Sequence, residues 1–300
     1  MRRVVRRVVR CVAKPTIAAR LAALWSTTWP HLVLGVASAA VLYPLLWILK
    51  MALSPSQAFD PSPNPIPTAF TLDNFATVVG TDAPGGGWLF GRQLANSLIV
   101  SGATACIGLA LATTAAYAFS RFRFPGRQSA LTAFMVTQIF PGVVMTIPLY
   151  ILLDAIGLLD SLAGLVLVYS TTSIPFATWM LKGYFDTIPK ELEEAALMDG
   201  ASRFGLFWRV VLPLSRPALA VTGLFSFMTA WNEFILAATF LGHPRSYTLP
   251  VVLQRYVGEY GTDWGYFAAG AILTSSVVMA LFFVLQKHLV GGLTAGGVKG

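Results

Sequence analysis

The chain has 300 residues, of which 56% are hydrophobic and only 11% are charged, and its mean hydropathy is +0.68. A soluble domain cannot bury so much apolar surface, so the composition excludes an ordinary soluble enzyme and indicates a membrane protein. The net charge of +8 does not indicate nucleic-acid binding, because the basic residues lie at the ends of apolar stretches rather than on one continuous polar face.

Residues 1–30 form a basic head that contains seven Lys or Arg residues. A cleavable signal peptide also begins with basic residues. The apolar stretch that follows this head is longer than the hydrophobic region of such a peptide, however, and it ends in Lys50 rather than at a cleavage site of small residues. The sequence therefore favours a retained head before a first spanning helix.

The head is followed by six apolar stretches, each about long enough to cross the hydrocarbon core of a membrane as a helix. Five of the six stretches contain no charged residue in their interior. The exception is the fifth in chain order, residues 218–240, which contains Glu233. We therefore predict an all-α membrane protein with six transmembrane helices. The predicted spans are residues 31–49, 94–119, 129–152, 161–181, 218–240 and 266–287.

Two patterns within these spans predict how the helices pack. Small residues recur every four positions in the second span, which allows a neighbouring helix to approach closely. Prolines in the third and fourth spans remove backbone hydrogen bonds, so we expect these spans to be bent. The small residues are Gly108, Ala112 and Ala116, and the prolines are Pro141, Pro148 and Pro175.

The distribution of Lys and Arg predicts the orientation, because short cytoplasmic loops of membrane proteins are enriched in these residues. A cytoplasmic N-terminus places most of the 21 basic residues on the cytoplasmic side. We therefore predict that both termini and the segment 183–217 are cytoplasmic. The exceptions, outside or at the boundary, are Lys50, Arg92, Arg245 and Arg255.

Two longer segments fall on the outer side. Residues 53–92 are rich in proline and include three consecutive glycines, which predicts an irregular connector. The segment from about 241 to 266 is rich in aromatic residues, which either contact a soluble partner or anchor at the membrane interface. Its aromatic residues are Tyr247, Tyr256, Tyr260 and Trp264.

The cytoplasmic segment 183–217 contains EEAALMDGASRFGLFWRVVLPLSRP. Asp186 or Thr187 can cap a helix that has Pro189 in its first turn. The helix should stop at Asp199 and Gly200, where glycine permits a sharp bend. One of its faces is shallow and suits close docking. That face consists of Leu192, Ala195, Ala196 and Asp199.

A second short helix is predicted from Ser202 to Pro213, with its apolar residues on one side and Arg203 and Arg209 at the wet surface. This pattern is typical of an amphipathic helix at a membrane interface. The alternative is a loop that only connects two spans, and the residues alone leave both interpretations open. The apolar side consists of Phe204, Phe207, Trp208, Val211 and Leu212.

The same segment resembles the EAA loop of ABC importer permeases. Its pattern is Glu194-Ala195-Ala196, three residues, Gly200, nine residues and then VVLP, with Val where the family usually has Ile. The stretch NSLIVSGATACIGLALATTAAYAFSRFRFPGR reads like the second span of the sugar branch of that family, and the tail GLTAGGVKG is similar to that of the maltose/maltodextrin permeases. The resemblance covers residues 30–300 and leaves the basic head unexplained.

The resemblance implies that residues 31–300 are the transmembrane domain of a sugar permease in the bacterial inner membrane. It implies a second, MalF-like permease, a homodimeric MalK-like ABC ATPase and a periplasmic sugar-binding protein as partners. The chain contains no phosphate-binding loop of the form GxxxxGK[ST], so ATP and Mg would be bound by the ATPase, and this chain would be a transport subunit without a cofactor. Transport would proceed by alternating access.

The resemblance also assigns roles to residues. Glu194 would contact the ATPase, Ala195 and Ala196 would allow close approach, and Gly200 would provide the bend. The remaining coupling residues would be Asp199, Leu212 and Pro213. The segment with Tyr247, Tyr256, Tyr260 and Trp264 would contact the binding protein, and the tail from Gly291 to Gly300 would reach towards the ATPase.

The sequence leaves two roles for Glu233, because a carboxylate within a span is costly: it lies either in the transport pathway or at the outer end of the helix. If it lies in the pathway, Trp231 and Asn232 beside it are candidates for sugar contacts. A secondary transporter or channel is the alternative function, and Glu233 would then be its only candidate coupling group. The three histidines are too scattered for a catalytic or metal site.

Overall fold

A computed structural model of the protein describes the backbone of residues 17–258 and 261–297, and the side chains of residues 25–258 and 261–286. Within these ranges the chain is helical apart from its connections and two isolated β-bridges, Asp82 with Trp88 and Val257 with Thr262. The all-α prediction is therefore confirmed. The arginine-rich start of the head, Tyr260 and the last three residues lie outside the described residues.

The described residues form twelve helices, numbered in chain order, and one short 3-10 helix, Gly142–Met145, that leads into α5. They are α1 (Ile17–Ala52), α2 (Asp73–Val79), α3 (Leu89–Arg121), α4 (Arg127–Ile139), α5 (Thr146–Ala155), α6 (Leu162–Thr187), α7 (Lys190–Met198), α8 (Arg203–Leu214), α9 (Arg216–Asn232), α10 (Ile235–Phe240), α11 (Leu249–Arg255) and α12 (Trp264–Gly297).

Four of the described helices are long and apolar enough to cross a membrane alone: α1 from Trp25, α3, α6 and α12 as far as Gln286. Two bent pairs of helices are long and apolar enough only when each pair is taken together. Helix α4 meets the segment Gly142–Ala155 at 93°, and α8 meets α9 at 78°. Counting each pair once gives six spans, which is the predicted number.

Some helices extend beyond the predicted spans. α1 already includes residues from Ile17, within the basic head, and α6 continues to Thr187 rather than ending near residue 181. The charge-free stretches mark only the hydrocarbon-crossing part, whereas the backbone hydrogen bonds continue through polar residues. In α6 the last turns are supported by an ion pair of 2.6 Å between Lys182 and Asp186, four residues apart.

The proline prediction is confirmed at one of its three positions. Phe140 and Pro141 have extended backbones at the break between α4 and the next helical segment, as expected where proline disfavours helix at the preceding residue. Pro148 lies in the first turn of α5, where its missing N–H costs little. Pro175 lies within α6, which is one helix on both sides of it, so the bend expected there stays a prediction.

The fifth predicted span, 218–240, is not one continuous helix. It divides into α9 and α10 at Glu233, whose backbone is extended. The Glu233 carboxylate accepts hydrogen bonds from the N–H groups of Leu236 at 2.9 Å and Ala237 at 3.1 Å. A carboxylate that satisfies the free donors of a helix start is favourable there, so Glu233 caps α10.

Helices α3 and α6 form the centre of the bundle, and α9 packs against both of them. Their contact is close because small residues lie along it: Ala112 and Ala116 are fully buried, and a methyl group added at Gly108 would lie 2.8 Å from the Ser173 hydroxyl. The predicted small-residue face is therefore the α3–α6 interface.

We expect Gly108→Val to lower the thermal stability of the detergent-solubilised protein by about 1–3 kcal/mol, because overpacking forces the two helices apart. Gly102→Val is the matched control, since nothing lies within 4 Å of a methyl group added there. Thermal unfolding of both variants measures the difference. Equal losses of stability would show that α3 and α6 do not pack closely at Gly108.

Candidate functional site

The α7 segment begins later than the sequence predicts. Pro189 occupies the N-cap position of α7, with no side-chain capping hydrogen bond. Asp186 and Thr187, the expected capping residues, belong instead to the last turn of α6, where the Thr187 hydroxyl donates to the Tyr184 carbonyl at 2.7 Å. The prediction failed here because α6 continues six residues beyond the predicted span of 161–181.

The end of α7 is where the sequence predicts it. The helix stops at Met198, and Gly200 has a φ of +85°, a conformation that glycine adopts without strain. The N–H groups of Gly200 and Ala201 close the turn on the carbonyls of Leu197 and Ala196, each at 3.0 Å. α7 is thereby turned sharply away from α8.

Most of α7 is exposed. Glu194 and Ala195 are exposed and Ala196 is half-buried, while Met198 is 88% exposed. The exposed apolar side chains on so short a helix indicate a contact surface for another molecule. We call this the α7 surface, and it comprises Leu192, Glu194, Ala195, Leu197 and Met198.

Glu193, which the sequence analysis did not single out, anchors α7 to the bundle. It accepts a hydrogen bond from Arg121 Nε at 2.6 Å, and the two side chains are only 11% and 8% exposed. Arg121 Nη2 also donates to the backbone carbonyls of Phe185 at 2.8 Å and Ile188 at 3.1 Å, just before α7. A planar guanidinium is suited to several such fixed contacts. We call this arrangement the Arg121 clamp.

Further polar contacts connect the Arg121 clamp to the end of α6. Arg121 Nη1 donates to the Ser120 hydroxyl at 2.8 Å, and Ser120 donates to Asp186 at 2.6 Å. Lys182 completes the network with its ion pair to Asp186. The ends of α3 and α6 and the start of α7 are therefore joined by one polar network. Sequence offered one weak signal for it: Glu193 lies three residues before the half-buried Ala196, on the same helical face.

Helix α8 has a different amphipathic pattern from the predicted one. Phe207 and Val211 are buried against α3 and α6, whereas Phe204 is 73% exposed and Trp208 54% exposed, so the five predicted residues do not share one side. The reason is a π-helical turn over Phe207–Val211, which changes the angular spacing of these side chains.

The helix also continues past its predicted end at Pro213. It includes the half-buried Leu212 and the exposed Pro213 and stops at Leu214. The 78° bend then follows at Ser215, whose hydroxyl donates to the Val211 carbonyl at 2.7 Å. Pro213 lies near the start of the last short helical segment, where a missing N–H is tolerated.

At the opposite end of the bundle, the aromatic residues predicted to contact a binding protein are not fully exposed. Tyr247 is buried, and its hydroxyl accepts a hydrogen bond from Arg255 Nη2 at 3.0 Å. Tyr256 and Trp264 are half-buried, and burial raises the pKa of the Tyr256 phenol above its ordinary value. These three residues form part of the surface at this end of the bundle rather than protrude from it.

The Pro-rich segment 53–92 is more ordered than the predicted irregular connector, because it contains α2. The Asn74 amide donates to the carbonyls of Ala52 and Ser54 at 2.9 and 2.7 Å. Arg245 Nη2 donates to the carbonyls of Pro84 and Gly86 at 3.1 and 3.2 Å. Side-chain amides and guanidinium groups, which sequence patterns do not place, therefore tie this segment to the bundle.

The candidate pathway residues have structural partners. Trp231 is 1% exposed and stacks on Phe227 with ring centroids 5.5 Å apart, so its ring is closed to a ligand, contrary to the sequence-based hypothesis. Glu233 caps α10 and also accepts a hydrogen bond from the Tyr169 hydroxyl at 2.5 Å. Asn232 alone is exposed.

No three His, Cys, Asp or Glu side chains come together as a metal site among the residues that the structure describes. One acidic contact joins two loops at the end opposite α7. Asp160 pairs with His243 and accepts a hydrogen bond from the Gly242 N–H at 2.8 Å. Partial burial raises the pKa of the Asp160 carboxyl, but the hydrogen bonds from Gly242 and His243 outweigh it and hold the pKa below its ordinary value.

The described helices form an apolar bundle in which the short, exposed α7 lies between two candidate spans. A family model described as "Binding-protein-dependent transport system inner membrane component" matches residues 105–294. The chain belongs to this family, and it is accordingly an inner-membrane transport component.

Two relatives match nearly the whole chain. The galactooligosaccharides transport system permease protein GanQ of Bacillus subtilis is 39% identical over 272 residues, covering 90% of this chain and 94% of the relative. The maltose/maltodextrin transport system permease protein MalG of Vibrio parahaemolyticus is 38% identical over 295 residues, covering 92% and 96%.

Two solved structures share the fold. A bacterial ABC transporter involved in the import of the acidic polysaccharide alginate has a TM-score of 0.72 at 23% identity, covering 92% of this chain and 99% of that one. A bacterial alginate ABC transporter in complex with an alginate pentasaccharide-bound periplasmic protein has a TM-score of 0.60 at 17% identity, covering 89% and 93%.

We expect Arg121→Met to destabilise the protein by about 3–5 kcal/mol, because it leaves the Glu193 carboxylate buried without its partner. The double variant Arg121→Met/Glu193→Met should recover much of this loss, since no buried charge remains. Glu194→Gln is the control on the exposed side of α7 and should change stability by no more than about 0.5 kcal/mol. Thermal unfolding in detergent compares them, and equal effects of Arg121→Met and Glu194→Gln would contradict a buried clamp.

The lowered pKa of Asp160 predicts a pH dependence. Because the pKa is lower in the folded than in the unfolded chain, the carboxylate stabilises the fold above about pH 4, and this contribution is lost as the pH falls through the lowered pKa. Asp160→Asn should therefore remove part of the loss of thermal stability between about pH 7 and pH 3. Asp154→Asn, at an exposed carboxylate, is the control. An unchanged acid profile in Asp160→Asn would refute the contribution.

Proposed function

We propose that this chain is a permease subunit of an ATP-driven sugar importer and forms half of its translocation pathway. Near-full-length relatives support the substrate class. The two relatives described above are named for galactooligosaccharides and for maltose/maltodextrin, and a 36% identical relative from Streptomyces coelicolor is named for diacetylchitobiose uptake. The substrate proposed for this chain is accordingly a neutral oligosaccharide of the maltodextrin type.

The α7 surface supports the proposal that an ATPase drives the transporter. It presents apolar side chains and Glu194 on a helix that protrudes between two spans, with Ala195 permitting close approach. A cytoplasmic ATPase, which binds ATP and Mg, would cover this surface. With α7 on the cytoplasmic side, both chain termini are cytoplasmic as well.

The Arg121 clamp makes this docking productive. A helix that moved independently of the bundle would not transmit force to the spans. Because Arg121 joins the ends of α3 and α6 to α7, movement of α7 is transmitted to the two central helices. Closure of the ATPase subunits would in this way shift the bundle between inward-open and outward-open states.

A second, MalF-like permease would supply the other half of the pathway, and a periplasmic sugar-binding protein would dock at the end opposite α7. The Arg255 guanidinium donates to the Tyr247 hydroxyl and lies over its ring, and this contact in the described part of the segment supports the docking surface. The alternative of a secondary transporter is not favoured. Glu233, its candidate coupling group, is held as the cap of α10.

Copurification tests the proposal. We would extract the tagged chain from its native membranes in mild detergent and compare the wild type with Glu194→Lys and Gly200→Asp. An ATPase and a second permease should accompany the wild type, and the ATPase should be reduced at least about tenfold in both variants, as expected for a loss of about 1.4 kcal/mol or more.

Asp73→Lys is the matched control, because it reverses an exposed charge on α2 at the opposite end and should retain the ATPase. The proposal would be wrong if the wild-type chain were recovered alone and transported maltotriose into vesicles without ATP.

A further inference from the structure

A cluster of uncharged polar side chains is exposed where α4 and α9 pack against α6. The four threonine hydroxyls donate to carbonyls of their own helices, whereas the Gln138 amide keeps one N–H and its oxygen free. An amide with unmet hydrogen bonds is costly in lipid, so we expect Gln138 to face a polar environment. The residues are Thr137 and Gln138 on α4, Thr171 and Thr172 on α6, and Thr229 on α9.

Two cavities open on this face. One, of about 530 Å³, lies between α4, α6 and the segment after Pro141, and the other, of about 180 Å³, lies between α4, α6 and α9. Gln138 and Thr172 line both cavities, which are therefore adjacent, and we refer to the two together as the cleft. The larger volume is within the range of about 300–1,000 Å³ that is usual for sites that bind small molecules.

The polar groups of the cleft retain hydrogen-bonding capacity. Gln138 Nε2 donates to the Thr172 carbonyl at 3.2 Å, which leaves its second N–H and its amide oxygen for a ligand. The hydroxyls of Thr172 and Thr229 each donate to a carbonyl of their own helix at 2.9 Å and so present acceptor lone pairs. Donor and acceptor groups are thus both available, as a sugar hydroxyl requires.

Aromatic rings form the other wall of the smaller cavity. Phe176 and Phe225 have ring centroids 5.4 Å apart and are 37% and 51% exposed. An exposed aromatic face offers apolar surface to the C–H groups of a pyranose ring, while its hydroxyls face the polar wall. No charged residue lines either cavity, which favours a neutral ligand over an ionic one.

We propose that the cleft formed by Gln138, Thr172, Phe176, Phe225 and Thr229 is a binding subsite of this subunit for one neutral pyranose unit of the transported oligosaccharide. The inference rests on the proposed function and extends it, since it assigns sugar contacts to this chain rather than to the second permease alone. The break at Pro141 follows Gln138 by three residues, so the cleft lies next to the bend between α4 and α5.

The first test is protection of an introduced cysteine. Gln138→Cys, in a chain with Cys11→Ser and Cys106→Ser, would be assembled with its partners in proteoliposomes and treated with a small water-soluble thiol reagent. Saturating maltotriose should slow the modification at least about fivefold, and the acyclic polyol mannitol should not. Thr114→Cys on α3, which is exposed but outside the cleft, is the control and should show no protection.

The second test is uptake. Gln138→Leu and Phe225→Leu should each reduce maltotriose uptake about tenfold, equivalent to 1.4 kcal/mol, while the complex still assembles and hydrolyses ATP. Thr114→Val and Phe282→Leu, which change an exposed hydroxyl and an exposed ring outside the cleft, should not reduce it.

The outcomes separate the subsite from the proposed function. Intact maltotriose uptake with equal modification rates in the presence and absence of the sugar would overturn the subsite alone. So would a Gln138→Cys chain that is modified when isolated but not when assembled, because the second permease would then cover the cleft. If the wild-type complex imported neither maltotriose, galactotriose nor diacetylchitobiose, the proposed function would fail, and the subsite with it.

Discussion

The buried contact between Arg121 and Glu193 is the constraint on which the proposed coupling depends. Burying two charges gains little net stability, but the fixed geometry of a guanidinium determines where α7 lies relative to α3 and α6. The same side chain satisfies two backbone carbonyls at the end of α6. Arg121 therefore joins the ends of the two central helices and also holds α7. Because its contact turns Glu193 towards the bundle, the next residue, Glu194, lies on the exposed side of α7.

In the proposed coupling, the rest of the bundle transmits the movement of α7 that arrives through the contact between Arg121 and Glu193. α3 and α6 pack at van der Waals distance along Gly108, Ala112 and Ala116, and closely packed helices move as units rather than deform. The sharp changes of direction lie instead at the two bends, between α4 and α5 and between α8 and α9. The proposed sugar cleft lies beside the first of these bends, with α6 as its opposite wall. The cleft is thus bounded by the continuous helix α6 on one side and by the bend between α4 and α5 on the other.

Sequence predicted the features that depend on local chemistry. The charge-free stretches coincide with apolar helices, whereas the predicted span that carries Glu233 divides into α9 and α10. The glycine in the EAA pattern located the turn at Gly200, because φ freedom is a property of the residue itself. Sequence did not indicate that Glu193 is buried and Glu194 exposed, because this difference depends on the position of Arg121, which is 72 residues earlier in the chain. The π-helical turn in α8 and the burial of Trp231 were missed for the same reason: tertiary packing decides them. The sugar cleft is formed by three separate spans, and no single stretch of sequence indicates it.

The most direct test of the central claim is the number of sugar molecules imported per ATP hydrolysed by the assembled complex in proteoliposomes. Arg121→Met/Glu193→Met keeps the α7 surface and leaves no buried charge, so the complex should assemble and hydrolyse ATP. If the clamp transmits the movement of α7, maltotriose uptake per ATP should fall at least about tenfold, equivalent to 1.4 kcal/mol of lost coupling. An unchanged ratio in a fully assembled complex would contradict the account.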